Sequence, residues 1–581
     1  MATGPAAESL SERGPGRFSA GGILPLLVII LVALLLRCVA LGSVPPGLNQ
    51  DEAVNAWNAW CLLKTGQDQY EAPWPLFYAR MLGENRSAIH LYAILPFQWV
   101  GGLGTWTVRL PFALAGVLTV ALVYGIGRRL FDRGTGLVAA GLLAVNPWHV
   151  HMSRLGLEAS LTPLLVALAV WMLLWSGFGK WDTASRVHGW RALLSGVVAG
   201  GVCYGYAAVR LFIPLLLVLW AVLAAGRIRR AVRVPDFGRA VAMWLLGFAM
   251  IFAPLAYQHS AHPERIAKRA KHIRLWEDAA GVGEAAGRMG ARYARHFGPD
   301  FLFLRGDRYE IYAPHGVGQF HVYMLPLMLA GAVFVVLGML GRRAAGDPLS
   351  SRMLAAWVVL YPVADVLYRN EIHLPDGSVL DSLHALRSAP GLIGLVLLAA
   401  VGAVSVWRLI RPRRSLAVGT LVIAGLVFAG LNARFLTLYF GANNARPAVY
   451  HGFHADLVQA CDWLRPRYAD AHAIFVTATD MNMPYVVTLV GVRYAPEDWF
   501  TAPKDVRTFE GYEWEYYFQV GRFHFVHDRT ILRIVRELQE NDFPERAIFI
   551  MRPGEFRLDD PAHVIRGPDG APLLEIHAVT L

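Results

Sequence analysis

Cysteine is scarce in this chain: Cys38, Cys61, Cys203 and Cys461 are the four in 581 residues, and no two share a CxxC spacing. No disulfide framework or cysteine zinc site is indicated, and Cys38 and Cys203, inside apolar runs, read as small core residues. A GxxxxGK[ST] loop and a dinucleotide fingerprint are both missing, which argues against a nucleotide-driven pump and against a nucleotide-sugar enzyme built on a Rossmann domain. Charge is sparse at 17% of residues, whereas 55% are hydrophobic and the mean hydropathy is +0.40. Soluble domains are closer to half apolar or below. The first long apolar run, Gly22–Leu41, is longer than a signal-peptide core and reads as a membrane helix rather than a cleaved signal peptide.

What is present is a series of apolar runs of about 17–25 residues, the length that spans a bilayer. After Gly22–Leu41 come Val108–Leu130, Gly134–Val150, Leu157–Phe178, Ala192–Ala207, Leu211–Ala225, Val241–Tyr257, Val322–Leu340, Leu354–Leu367, Leu386–Leu409 and Leu416–Leu436, eleven in all. A shorter piece, Ala88–Val100, reads as lying along or dipping into the interface. The expected fold is therefore mainly α, a polytopic membrane domain over 21–436. The tail 1–20, rich in Gly, Ser, Pro and Glu over Met1–Arg17, is expected to be disordered and cytoplasmic. Beyond it, 437–581 changes character. Asp456–Tyr468 has helical spacing, and Ala473–Thr479, Ala547–Met551 and Leu573–Thr580 read as strands, predicting a small soluble α/β domain.

The net charge of +11 does not point to nucleic acid, because most arginine lies in short loops between apolar runs. Arg128, Arg129 and Arg133 mark one such loop; Lys180, Arg186 and Arg191 the next; then 227–233, Arg342-Arg343 and 408–414. Positive-inside topology makes these cytoplasmic. The N-terminus then lies inside, while loops 42–107, 258–320 and 368–385, the turns at His149–Glu158 and Tyr204–Arg210, and the tail beyond 437 lie outside. Loop 258–320 carries Arg265, Lys268, Arg269, Lys271 and Arg274 against this pattern, but long loops translocate regardless of charge.

Several ionisable residues fall at one depth, at the outer ends of the runs. Asp51 and Glu52 follow the Val44-Pro45-Pro46-Gly47 turn. Arg154 and Glu158, spaced i and i+4, share a face if a helix has begun there. Arg210 and Arg387 repeat the arrangement at two further ends. Ionisable groups entering membrane helices are costly and are functional candidates by default. A layer of acids and arginines suits a lipid phosphate: arginine reads phosphate oxygens with a planar fork, and a carboxylate takes a proton from an attacking hydroxyl. Solvated rim carboxylates and snorkelling arginines are the bland alternatives. His149 and His151 read as interfacial histidines rather than metal ligands.

Four stretches together resemble the GT-C superfamily of polyprenyl-phosphate-sugar glycosyltransferases, nearest the bacterial relatives of protein O-mannosyltransferases and the lipid A aminoarabinose transferase. They are Asp51-Glu52; Trp106-Thr107-Val108-Arg109-Leu110-Pro111-Phe112-Ala113-Leu114-Ala115-Gly116 running into Tyr124-Gly125-Ile126-Gly127-Arg128-Arg129-Leu130-Phe131; Asn146-Pro147-Trp148-His149-Val150-His151-Met152-Ser153-Arg154 with Glu158; and Tyr204-Gly205-Tyr206 to Arg210-Leu211-Phe212-Ile213-Pro214. The resemblance covers about the first 215 residues. It implies a polyprenyl-phosphate-linked sugar donor, transfer with inversion to an acceptor on a glycan, lipid or protein, and Asp51 as general base supported by Glu52 and Glu158. Arg86, His90, Arg154, Arg210 and Arg387 are the candidates for the donor phosphate. In place of the family's Lys-Pro-Pro-Leu stretch this chain has Glu84-Asn85-Arg86-Ser87-Ala88-Ile89-His90, so Arg86 or His90 would replace the lysine. No cofactor or metal ligand is assigned; some members of the wider superfamily use divalent cations, so a cation stays open. A transporter or flippase of lipid-linked sugars is the rival reading; it predicts charges near the bilayer midplane and repeated halves. A scaffold needs far fewer helices.

The topology has a direct check. Single-cysteine reporters in loop 258–320 and in the tail should label from outside the cell, and reporters at 131–133 and 226–234 should not. Tail labelling only after permeabilisation would reverse the assignment.

Overall fold

A computed structural model of the chain describes residues 20–178, 188–231, 235–263, 274–277, 279–342, 347–373, 378–508, 514–526, 546–555 and 560–580. The tail Met1–Arg17, Lys180, Arg186, Arg233, Arg343 and the basic residues Arg265, Lys268, Arg269 and Lys271 lie outside the described residues.

All eleven apolar runs fall on helices, because a chain in lipid must satisfy its own backbone. The expected count of eleven spans is nevertheless not confirmed. Among the described residues six helices are long and apolar enough to cross a membrane, or seven if the pair Ala207–Leu223 and Ala225–Ala231, bent by 71°, is one span. Ile23–Cys38, Arg133–Ala144 and Met324–Met339 are apolar but shorter. The reason is that an apolar run need not be one continuous helix. The run Gly134–Val150 is cut at Asn146, whose side chain caps a new helix, Pro147–Met152. The run Ala192–Ala207 breaks at the 3-10 turn Val202–Tyr204. Helices approach closely where side chains are absent: a Cβ on Gly331 would stand 2.0 Å from the Leu398 carbonyl oxygen, and one on Gly402 2.0 Å from that of Leu327. The arginine-bearing helix ends are tied to neighbouring ends. Arg408 pairs with Asp132 at 2.6 Å, Arg227 with Asp347 at 2.6 Å, and Arg129 lies 3.8 Å over the Trp171 ring.

At the other helix ends the chain folds into a layer outside the helical bundle, outer in that sense alone. Helix Gln50–Thr65 opens it, with ten of its residues buried, among them Trp57. A two-stranded hairpin, Tyr78–Met81 with Glu84–Ser87, follows; its turn residues Leu82 and Gly83 both have positive φ, 53° and 87°, as a type I′ turn requires. The short apolar piece is helix Ile89–Gly101, 13 residues long.

The C-terminal part holds a seven-stranded mixed sheet in the order His563–Arg566, Pro572–Thr580, Arg546–Met551, Ala473–Thr477, Phe523–Val526, Glu515–Val520, Lys504–Thr508. The central strand Ala473–Thr477 is buried throughout and parallel to both neighbours. The sheet region docks on the first outer helix. Trp57 meets the edge of Trp499 at 5.8 Å, and the Trp499 indole N–H donates to the Gln69 carbonyl at 2.9 Å.

One buried ion pair sets the start of that helix. Asn49 caps it: the Asn49 side chain accepts from the Asp51 N–H at 3.0 Å, and Glu52 accepts from the Asn49 N–H at 3.2 Å. Glu52 also accepts from Arg109 Nε and Nη2 at 2.8 and 2.7 Å and from the Gly156 N–H at 2.7 Å. Arg109 spends its other donors on the carbonyls of Pro45, Gly47 and Leu41 at 2.8, 3.1 and 3.3 Å. Both side chains have no exposed area.

Removing one partner strands the other charge, which costs about 3–5 kcal/mol. Glu52→Gln and Arg109→Met should each lower the unfolding temperature of the detergent-solubilised protein sharply, and the double variant Glu52→Leu with Arg109→Met should recover part of the loss. Single variants as stable as wild type would contradict the role of the pair.

Candidate functional site

The two carboxylates of the first helical turn part company. Glu52 points inward to Arg109 and reaches no open space. Asp51, half-buried, points outward, and Arg86 Nη1 donates to its Oδ1 at 2.7 Å. Arg86 comes from the second strand of the hairpin. Its Nη2 also stands 3.5 Å from Glu84 Oε2. Burial opposes the charge on Arg86, but Asp51 and Glu84 outweigh it and raise its pKa.

Asp51 and Arg86 open onto a cleft of about 320 Å³, shared with Gln50, Leu82, Tyr309, Tyr312, Asn370, Glu371, Ile372, His384, Arg387, Asn482, Met483 and Trp514. Its walls come from the first outer helix, the hairpin, the loops after 300 and 367, and the C-terminal part. Arg387 is held by the Arg369 carbonyl at 2.9 Å, lies 5.6 Å over the Tyr368 ring, and stands 3.6 Å from the buried Asp365. His384 stacks on Tyr312 at 5.0 Å. Behind it, Asp307 accepts from the Ala385 and Tyr309 N–H groups at 2.8 and 3.0 Å. Burial pushes the Asp307 carboxyl up to about 7 although those N–H groups pull the other way.

Of the residues singled out from sequence, Asp51, Arg86 and Arg387 meet in this cleft. Glu158 and Arg210 stand beside it. Glu158 lies in the field of Arg210 and Arg86, with Asp51 near, and Arg210 donates to the Cys203 and Gly205 carbonyls at 3.1 and 3.2 Å and to the Tyr78 hydroxyl at 3.3 Å. His90, Glu52 and Arg154 do not line the cleft. His90 is buried, with Nε2 at 2.9 Å from Asn55 Oδ1; burial first, then Arg86, lowers its pKa to about 3, so it carries no charge at neutral pH. Arg154 donates to the carbonyls of Leu36, Ala40 and Val44 at 2.9, 3.2 and 2.7 Å, binding the end of the first membrane helix. The shared helical face expected for Arg154 and Glu158 is corrected. Residues 153–157 are not helical; their backbone serves as an anchor, Gly156 donating to Glu52 and accepting from Asn55 Nδ2 at 2.9 Å.

His149 and His151 turn to different partners, Arg37 at 2.7 Å for the first and the Ile311 carbonyl at 2.8 Å for the second. Among the described residues no three His, Cys, Asp or Glu side chains are grouped to hold a metal ion. The cleft residues that sequence reasoning missed are Tyr309, Tyr312, Asn370, Glu371, His384, Asn482 and Trp514. His384 sits three residues before Arg387 and was within reach. The others come from separate segments, Tyr309 with Tyr312, Asn370 with Glu371, Asn482, and Trp514, and they carry no local signal.

Residues 87–257 match the family described as dolichyl-phosphate-mannose-protein mannosyltransferase. No curated protein sequence matches the chain. Among solved structures, ArnT from Cupriavidus metallidurans bound to undecaprenyl phosphate is similar with a TM-score of 0.54 and 13% identity, over 96% of this chain and 98% of that one. The apo state of the same protein gives 0.51 and 13% over the same shares, 96% and 98%. The Archaeoglobus fulgidus oligosaccharyltransferase tethered with an acceptor peptide gives 0.48 and 12% over 82% of this chain and 63% of that one. A local sequence match and a fold shared along nearly the whole chain thus both bear out the resemblance to the GT-C glycosyltransferases.

Proposed function

We propose that the protein is an integral membrane glycosyltransferase. It moves a sugar from a polyprenyl-phosphate carrier to an acceptor hydroxyl or amine at the extracytoplasmic face, with inversion at the anomeric carbon. The observation that carries this reading is the Asp51–Arg86 pair opening on a cleft that also holds Arg387. A proton acceptor and two permanent cations meet at the rim of an apolar helical bundle. The undecaprenyl phosphate bound to ArnT, whose fold this chain shares, supports a lipid phosphate as the ligand.

The chemistry balances with these groups alone. Asp51 takes the acceptor's proton as the acceptor oxygen or nitrogen bonds to the anomeric carbon. The bond from that carbon to the phosphate oxygen breaks, and its electron pair leaves with the phosphate. Arg86 and Arg387 stabilise the charge that develops there. Glu158 and Arg210, just behind, complete the electrostatic surround. A cleft of about 320 Å³ lies at the small end of ligand sites, roughly 300–1,000 Å³. It suits one sugar and its phosphate, with the polyprenyl chain outside it. On this reading 437–581 is an outer-face unit that walls the cleft, and the arginine-bearing helix ends face the cytoplasm.

Purified protein should transfer labelled sugar from a polyprenyl-phosphate donor. Asp51→Asn keeps the shape and removes the base, so kcat should fall by about 10²–10⁴-fold with donor binding nearly intact. Full activity of the variant would remove Asp51 from the mechanism. Absence of transfer by wild type from every donor tried would favour a transporter of lipid-linked sugars.

The arginines have their own signature. Arg387→Ala should raise the donor KM while the fold survives, and Arg387→Lys should restore affinity only in part, because lysine lacks the bidentate fork. An unchanged donor KM in Arg387→Ala would leave Arg387 a wall residue held by Asp365.

A further inference from the structure

The C-terminal sheet is clamped onto the hairpin that carries Arg86, at one point. The Glu515 N–H donates to the Leu82 carbonyl at 3.3 Å, its carboxylate accepts from the Tyr70 hydroxyl at 2.6 Å, and it pairs with Arg80. One residue earlier, the Trp514 indole N–H donates to Glu84 Oε1 at 3.0 Å. The other oxygen of Glu84 faces Arg86, and Arg86 holds Asp51. A continuous chain, Trp514 to Glu84 to Arg86 to Asp51, therefore joins the C-terminal part to the proton acceptor. Trp514 is half-buried and lines the cleft. Its only polar atom is taken by Glu84, so its orientation is set before any ligand arrives.

Asn370 lines the same cleft, and its Nδ2 is buried with no hydrogen-bond partner among the described residues. A buried amide donor without a partner is costly unless a ligand or water completes it. Together these residues offer what a sugar needs: an aromatic face for the C–H bonds of the ring, and an amide for a hydroxyl. An aromatic face is electron-rich and attracts such partially positive hydrogens.

We infer that Trp514 and Asn370 form the subsite for the sugar ring of the lipid donor. The inference rests on the proposed transferase reading and goes beyond it, because it assigns donor-sugar recognition to residues outside the segment that matches the mannosyltransferase family. Arg86 and Trp514 line the same cleft and are joined through Glu84, so a sugar attached to a phosphate on Arg86 shares that space with the indole. Trp514 is a binding residue. Glu84 is a positioning residue that holds both the indole and Arg86.

The test is lipid binding by the purified full-length protein, comparing dolichyl-phosphate mannose with bare dolichyl phosphate. Wild type should prefer the sugar-bearing lipid by up to about tenfold, the scale of one good aromatic contact. Trp514→Ala should lose that preference while dolichyl phosphate binds as before. Trp514→Phe keeps an aromatic face and should keep most of the preference, and Asn370→Ala should lose part of it. Full preference in Trp514→Ala would overturn the inference. So would equal loss of both lipids in Trp514→Ala, which would make Trp514 a structural clamp. Wild type that binds dolichyl phosphate without preference would overturn this inference alone. Wild type that binds neither lipid would overturn the proposed function and the inference with it.

Discussion

The Glu52–Arg109 pair is the constraint on which the outer layer depends. Two charges without exposed area are tolerable only because every strong donor and acceptor is used. Glu52 takes the guanidinium, its own cap and the Gly156 N–H; Arg109 takes three carbonyls of the segment that leaves the first membrane helix. The pair thereby ties together the start of the first outer helix, the helix Thr105–Leu130 that carries Arg109, and the turn after His151. Arg154 grips the same segment through three carbonyls of residues 36–44. Once both are in place, Asp51 has one direction left to face, and that is the cleft.

Adjacent acids thus take opposite parts for a geometric reason. In the first turn of a helix, consecutive side chains diverge by about 100°. One carboxylate enters the core as a cap and ion-pair partner, and the next stays at the surface beside Arg86. The cations follow the same division. Arg109 and Arg154 are consumed by backbone carbonyls, whereas Arg86 and Arg387 keep a face toward open space. Burial and partner choice separate scaffold from chemistry more sharply than residue type does.

The apolar runs made the membrane domain legible, since each falls on a helix. The number of spans was not, because a run such as Gly134–Val150 conceals the cap at Asn146 and the start of a second helix. In the C-terminal part the helix Ala455–Leu464 and the strands Ala473–Thr477, Arg546–Met551 and Pro572–Thr580 were visible as apolar patterns. The strand Lys504–Thr508 was not: it is a mostly exposed sheet edge, and its sequence Lys-Asp-Val-Arg-Thr has no apolar alternation. At the site, Asp51, Arg86 and Arg387 were legible as charges at helix ends or in loop 42–107. His90 and Arg154 were candidates on the same grounds, but His90 faces Asn55 and Arg154 donates to the carbonyls of Leu36, Ala40 and Val44. Trp514 and Asn370 join the cleft through tertiary folding, over separations that no local pattern records.

The central claim is that a lipid phosphate sits on Arg86 and Arg387 with Asp51 beside the departing bond. The most direct measurement is a structure of the protein with a polyprenyl phosphate bound. The account predicts phosphate oxygens within hydrogen-bond reach of both guanidinium groups, about 2.7–2.9 Å, and next to the Asp51 carboxylate. A phosphate found elsewhere, near the bilayer midplane or in a pocket without Arg86, would contradict it.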